Sequence, residues 1–142
     1  MIRVEPYREA HFDAVSALWL EAFPDDPPHN RAEVAIPAKL AVQPDLLLVA
    51  LDGQEVVGTV MAGYDGHRGW LYAVAVDPSL RKHGIGRALV DHACAELAAR
   101  GCGKVNLQVR DGNESAAAFY GGLGFIREPR ISFGRLLSTE GQ

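Results

Sequence analysis

Residues 74–90 constrain the fold of this 142-residue chain more than any other stretch. Val74, Ala75 and Val76 close an apolar run that reads as a strand, and Asp77-Pro78 turns the chain. Arg81-Lys82-His83-Gly84-Ile85-Gly86-Arg87 follows, and Ala88-Leu89-Val90 opens an amphipathic helical pattern. A helix entered this way has backbone N–H groups free at its start. Those groups, with the positive end of the helix dipole, favour an anion. Gly84 and Gly86 let backbone approach a ligand with no Cβ in the way, while Arg81, Lys82 and Arg87 add charged donors. The pattern reads as a cradle for a pyrophosphate. Taken alone, it suits a helix start with a solvated basic cluster better.

Two glycine-loop classes are excluded. A P-loop needs Gly-Lys-Ser or Gly-Lys-Thr at the helix start, and here Arg87-Ala88 follows Gly86. The dinucleotide fingerprint needs a third small residue three places after the second glycine, where this chain has Leu89.

The length suits a single domain, taken as residues 1–142. A net charge of −4 argues against nonspecific binding to nucleic acid or to a membrane surface, though a local basic loop can still hold an anion. The start Met-Ile-Arg-Val-Glu is unlike a signal peptide, and no apolar run is long enough to span a bilayer, so a cytoplasmic protein is expected. Cys94 and Cys102 read as reduced, mostly buried thiols, with no Cys-x-x-Cys pair and no metal site.

Ile2-Arg3-Val4 predicts a short first strand, and apolar Phe12, Val15, Leu18, Trp19 and Ala22 predict a helix over 9–23. Residues 31–42 read as a second helix interrupted near Pro37. Strands are predicted over 46–51, 56–64 and 70–76, with Asp52-Gly53 and residues 65–69 as turns. The helix from the glycine loop runs over 84–100, with Gly101 as its stop, and residues 104–110 return as a strand. Asn113 can cap a helix holding Ala116, Phe119, Tyr120 and Leu123; strands over 125–126 and 131–137 are expected to finish the chain. Strands 70–76 and 104–110, joined by the long helix, are predicted parallel.

Two segments together are similar to the signatures of the GNAT family of N-acetyltransferases. The first is Arg81-Lys82-His83-Gly84-Ile85-Gly86. The second is Leu107-Gln108-Val109-Arg110-Asp111-Gly112-Asn113, followed by Ala118-Phe119-Tyr120 and Leu123-Gly124-Phe125. The resemblance runs from about residue 46 to 137, and Tyr64-Asp65-Gly66-His67-Arg68-Gly69 also looks like a segment of small bacterial members. It implies an α+β fold with a mixed, mostly antiparallel central sheet flanked by helices and a splayed parallel strand pair. It implies acetyl-coenzyme A as co-substrate, an amine as acceptor and no metal.

By the same resemblance, backbone at Val74, Ala75 and Val76 would pair with the pantetheine arm and polarise the thioester carbonyl. Arg81, Lys82, His83, Gly84, Ile85, Gly86 and Arg87 would hold the pyrophosphate. Asn113 would contact the coenzyme, and Tyr120 would protonate the leaving thiolate. Plainer roles stand beside these: an N-cap for Asn113 and an aromatic packing residue for Tyr120. No acid occupies residues 70–76, and Gln108 stands where members that acetylate ribosomal-protein N-termini carry Glu. Asp65 and His67, in the turn feeding the fourth strand, are the candidates to receive the proton or orient the acceptor. Ordinary turn chemistry, with solvent as the proton sink, fits them as well. Residues 24–30, rich in proline, suit an acceptor-binding loop. A small amine is the expected acceptor. A protein N-terminus, or an acyl-coenzyme A-binding module with little catalysis, are the alternatives, and a homodimer is compatible with each.

Overall fold

In the computed structural model, which describes residues 1–137, a five-stranded sheet organises the first of two compact units, residues 1–108. Strand β1 (Ile2–Pro6) is followed by α1 (Phe12–Ala22) and α2 (Ala32–Val42). Then come β2 (Leu47–Asp52), β3 (Glu55–Tyr64), β4 (Gly69–Val76), α3 (Ile85–Ala99) and β5 (Val105–Leu107). The strands lie in chain order; β1 through β4 pair antiparallel, and β4 with β5 is parallel. This is the α+β, mostly antiparallel architecture expected.

Strand β2 is apolar without alternation and buried from Leu47 to Leu51. Both of its faces are covered, so neither carries polar side chains. On one side Leu47, Val49 and Leu51 join a core with Val15, Leu18 and Trp19 of α1 and Ala32 and Ile36 of α2. On the other, α3 packs through Ile85, Leu89, Val90, Ala93 and Leu97, all buried. Gly58 of β3 makes that approach possible. A Cβ there would lie 2.8 Å from Leu89 Cδ1 and 3.0 Å from the Ala75 carbonyl oxygen.

Two irregularities shape β4. Thr59 pairs with Ala75 and Met61 with Tyr72, so Val60 alone faces both Ala73 and Val74. This is a β-bulge, and Ala73 sits in it with φ 51°, the left-handed region that non-glycine residues avoid. The bulge is held by the Thr59 hydroxyl, which donates to the Ala73 carbonyl at 2.9 Å. The parallel partner also stops early. Strand β5 pairs only with Gly69, Trp70 and Leu71, and no other strand among the described residues continues along β4 on that side. The two parallel strands thus accompany each other for three residues before their pairing ends.

Several expected elements differ. The predicted strand over 104–110 shortens to Val105–Leu107. The helix expected over 9–23 begins as a single tight turn, Glu9–His11, before α1. Pro37 does not interrupt α2, which runs through it. Proline removes the bond to the Glu33 carbonyl, but both residues are exposed, so water can take that acceptor's place.

The second unit, residues 109–142, holds α4 (Glu114–Gly122). The strands expected over 125–126 and 131–137 do not form among the described residues. A strand exists only through its partner, and Ile126, Ile131, Phe133 and Leu137 are exposed rather than drawn into a core. Pro129 and Gly134 further weaken the segment as a strand.

Candidate active site

The chain leaves β4 through a side-chain-capped turn. Asp77 Oδ1 accepts from the Ser79 N–H at 3.0 Å and from the Ser79 hydroxyl at 2.9 Å, closing the turn Pro78–Leu80. Lys82 then adopts φ 69° and Gly84 φ 79°. Two left-handed residues so close together fold the loop tightly, and Lys82 carries a conformational cost of about 1–2 kcal/mol that glycine at that position would not. Gly84 is the N-cap of α3 and supplies no side-chain cap. The Ala88 N–H donates to the Gly84 carbonyl at 3.0 Å, so the N–H groups of Ile85, Gly86 and Arg87 precede the first intrahelical bond. They begin a helix of 15 residues, long enough for a substantial dipole.

Side chains at this helix start divide by role. Ile85 is buried and pins the loop to the sheet near Gly58. Arg81, Lys82 and His83 are exposed. Arg87 lies 3.6 Å from Asp91 one turn on, an exposed pair of little energetic weight. Three cationic side chains thus surround N–H groups that can turn to an anion. Val74 and Val76, half-buried, and Ala75, buried, lead into this loop along the β4 edge that β5 leaves bare.

Asp65 and His67 lie at the opposite end of β4, beyond its first residue. Asp65 Oδ1 accepts from the His67 and Arg68 N–H groups, both at 2.8 Å. These donors hold the Asp65 carboxyl below its ordinary range. A carboxylate so stabilised is a weak proton acceptor and a dependable fixed charge. His67 is exposed, so its imidazole has open access to solvent.

Beside this turn is a cavity of about 400 Å³ whose walls include Gln43, Gly63, Tyr64, Asp65, Trp70 and Tyr72. Gln43 reaches it from the end of α2: its Nε2 donates to the Tyr64 carbonyl at 2.9 Å, and its Oε1 accepts from Lys39 Nζ at 3.1 Å. Tyr72 is half-exposed, and its partial burial, with the Asp65 charge second, shifts the phenol upward from its ordinary pKa. Burial likewise pushes the Lys39 ammonium below its own. Sequence reading did not identify Gln43, Trp70 or Tyr72. The alternation of Trp70 and Tyr72 signals a shared face of β4, but Gln43 joins them only through tertiary pairing.

In the second unit, Asn113 is the N-cap of α4, its Oδ1 accepting from the Ala116 N–H at 3.2 Å. Tyr120 lies in α4, edge-on to Phe119 at 5.0 Å and to Phe125 at 5.8 Å between ring centroids. Burial pushes the Tyr120 phenol above its ordinary pKa, which keeps it protonated at neutral pH. A protonated phenol can donate a proton. Among the described residues, no three His, Cys, Asp or Glu side chains gather into a metal-binding group, and no helix is long and apolar enough to cross a membrane.

Comparison with known proteins adds four findings. Residues 9–125 match the model of the acetyltransferase (GNAT) family. An acetyltransferase of Pectobacterium atrosepticum is 40% identical over 136 residues, 96% of each chain. Among solved structures, an aminoglycoside acetyltransferase from an uncultured soil metagenomic sample is similar at TM-score 0.74 and 26% identity, over 97% of this chain and 99% of that one. A NatC complex bound to Gag peptide and coenzyme A is similar at TM-score 0.78 and 26% identity, over 92% of this chain and 87% of that one.

Proposed function

The chain belongs to the acetyltransferase (GNAT) family, and on that premise we propose that it moves an acetyl group from acetyl-coenzyme A directly to the primary amine of a small molecule. The observation that carries this reading is the pairing of two features on one strand. Among the described residues no strand pairs with β4 on the β5 side beyond Leu71, and the loop leaving β4 leads into helical N–H groups that precede the first intrahelical bond, in a segment rich in cationic side chains. A thioester with an extended amide-bearing arm and a pyrophosphate needs both: strand-like hydrogen bonds for the arm and an anion cradle for the phosphates.

In this reading Arg81, Lys82, His83, Gly84, Ile85, Gly86 and Arg87 hold the pyrophosphate. Backbone of Val74, Ala75 and Val76 aligns the arm and polarises the carbonyl. Asn113 contacts the coenzyme and Tyr120 donates the proton to the departing thiolate. The amine must lose a proton when its bond to the acetyl carbon forms. His67 is the better receiver of that proton, because Asp65 is held as an anion by two N–H donors. Asp65 instead supplies negative charge for a cationic acceptor.

The test is free-thiol release by the purified protein against a panel of small amines and a peptide N-terminus. Small amines should turn over, and Gly86→Glu, which adds bulk and negative charge at the helix start, should abolish both turnover and acetyl-coenzyme A binding while the protein stays folded. Unchanged affinity in the folded variant, or turnover confined to the peptide, sinks the reading. The similarity to the peptide-bound NatC structure keeps the peptide arm in the panel.

A further inference from the structure

We propose that Lys39 is a site of self-acetylation: its amine, the cavity wall at Gly63 and the start of the unpaired β4 margin at Tyr72 come together, so that acetyl-coenzyme A bound along that margin modifies this one lysine when no other acceptor is present. The inference rests on the acetyl-transfer reading above and adds the chain itself as an acceptor.

Gly63 of β3 is the meeting point. A Cβ there would lie 3.7 Å from Lys39 Nζ, 3.7 Å from Gln43 Oε1 and 4.0 Å from Tyr72 Cε2. Gly63, Gln43 and Tyr72 all line the cavity of about 400 Å³ beside the 65–69 turn. The lysine nitrogen therefore meets this cavity with no side chain at residue 63 between them. Tyr72 is also the first residue of β4 past the last one paired with β5, where the margin proposed to seat the thioester arm begins.

The bonding of this nitrogen suits a nucleophile. Lys39 Nζ donates to the Ala62 carbonyl and to Gln43 Oε1, both neutral acceptors. A neutral amine has two N–H groups and one lone pair, so losing a proton leaves both acceptors satisfied. Asp45 and Arg100, the charges that act on Lys39, pair with each other. Half-burial favours the neutral form further. The step is a plain acyl transfer. Lys39 gives one proton to solvent, and its nitrogen bonds the acetyl carbon and loses a second. The carbon–sulfur bond breaks, and the departing thiolate takes one proton back. The acetylated nitrogen keeps a single N–H for two acceptors, so the modification also releases either Ala62 or Gln43.

The chain has three lysines, and Lys82 and Lys104 are exposed, so both serve as internal controls. In the experiment the full chain is incubated with acetyl-coenzyme A and no amine, and the acetyl occupancy of each lysine is followed by mass spectrometry of its peptides. Lys39 should gain acetyl at least about tenfold faster than Lys82 or Lys104, the mark of a nitrogen held beside the thioester rather than met in solution. Gly86→Glu, and separately an excess of free coenzyme A added to the wild type, should each bring Lys39 down to the rate of the other two. Equal labelling of the three lysines, or a Lys39 preference that survives the excess of coenzyme A, overturns the proposal. The two readings fail separately. Thiol release with small amines while Lys39 stays unmodified sinks self-acetylation alone, whereas coenzyme-dependent labelling of Lys39 with no small amine turned over sinks the small-amine reading alone.

Discussion

Trp19 of α1 donates its indole N–H to the hydroxyl of Thr59 on β3, at 2.8 Å and fully out of solvent. The same hydroxyl donates onward to the Ala73 carbonyl in the β4 bulge. One buried side chain therefore ties a helix to the irregular residue that precedes Val74, Ala75 and Val76. Thr59→Val keeps the shape and strands both partners. A loss of roughly 1–3 kcal/mol per stranded group is expected in urea denaturation. If backbone of Val74, Ala75 and Val76 aligns the thioester as proposed, turnover should fall more than acetyl-coenzyme A affinity does. Thr59→Ser, which restores the hydroxyl, should recover most of both. A Thr59→Val protein with wild-type stability and turnover would show that the bulge holds itself.

Gly58→Ala tests the seat of α3. The added Cβ would meet Leu89 Cδ1, the Ala75 carbonyl at 3.0 Å and Ile85 Cγ2 at 3.2 Å. The Leu89 methyl can move, but the carbonyl belongs to β4. A destabilisation of about 1–3 kcal/mol, the usual cost of overpacking, should appear as a lower Tm. Leu89→Ala in the same chain should return part of that loss; purely additive losses would mean the clash lies elsewhere.

Tyr120→Phe keeps the ring against Phe119 and Phe125 and removes only the proton donor. Turnover should drop roughly 10²–10⁴-fold with little change in coenzyme affinity. Because burial raises the phenol's pKa, Tyr120 stays protonated through neutrality. The ratio of wild-type to variant turnover should therefore be flat from about pH 7 to 9. A Phe variant that turns over near the wild-type rate would reduce Tyr120 to a packing residue.

His11 governs an acid limb of stability. It is 5% exposed, and its Nδ1 accepts from the Arg8 N–H at 3.0 Å. Burial first, and Arg8 second, push its pKa below the ordinary value of 6.5. The folded state thus disfavours the charged form. The resulting stability is fully present above the unfolded-state pKa and is lost as pH falls through the lower, folded one. Urea midpoints should decline as pH drops below 6.5, and His11→Gln should flatten that decline. An equal slope in both proteins would assign it to other groups.

The middle of the chain was legible because its signals are local. Apolar runs punctuated by Asp52-Gly53, by 65–69 and by Asp77-Pro78 give β2, β3 and β4, and the glycine loop announces α3. What eluded sequence reading depends on partners. Residues 125–126 and 131–137 have strand-like composition but find no strand among the described residues. Strand β5 is short because its pairing with β4 ends at Leu71, which no propensity records. At the candidate site, the type of residue at 65 was readable but not its state. Two backbone N–H groups bond one Asp65 carboxylate oxygen, a contact that the residue type alone does not announce. Gln43 reaches Tyr64 across 21 residues, so the cavity wall it completes has no signature in sequence.

The bare margin of β4 has a cost outside chemistry. A row of strand N–H and C=O groups without a neighbouring strand is a template on which another chain can add itself. In this protein the margin begins at Tyr72, and no other strand among the described residues pairs with it there. A ligand lying along it would occupy the same hydrogen-bonding groups that an intruding strand needs. Loading with the coenzyme should therefore protect the protein from heat-induced clumping beyond what its gain in Tm explains, with substrate supply setting how long the folded chain stays dispersed.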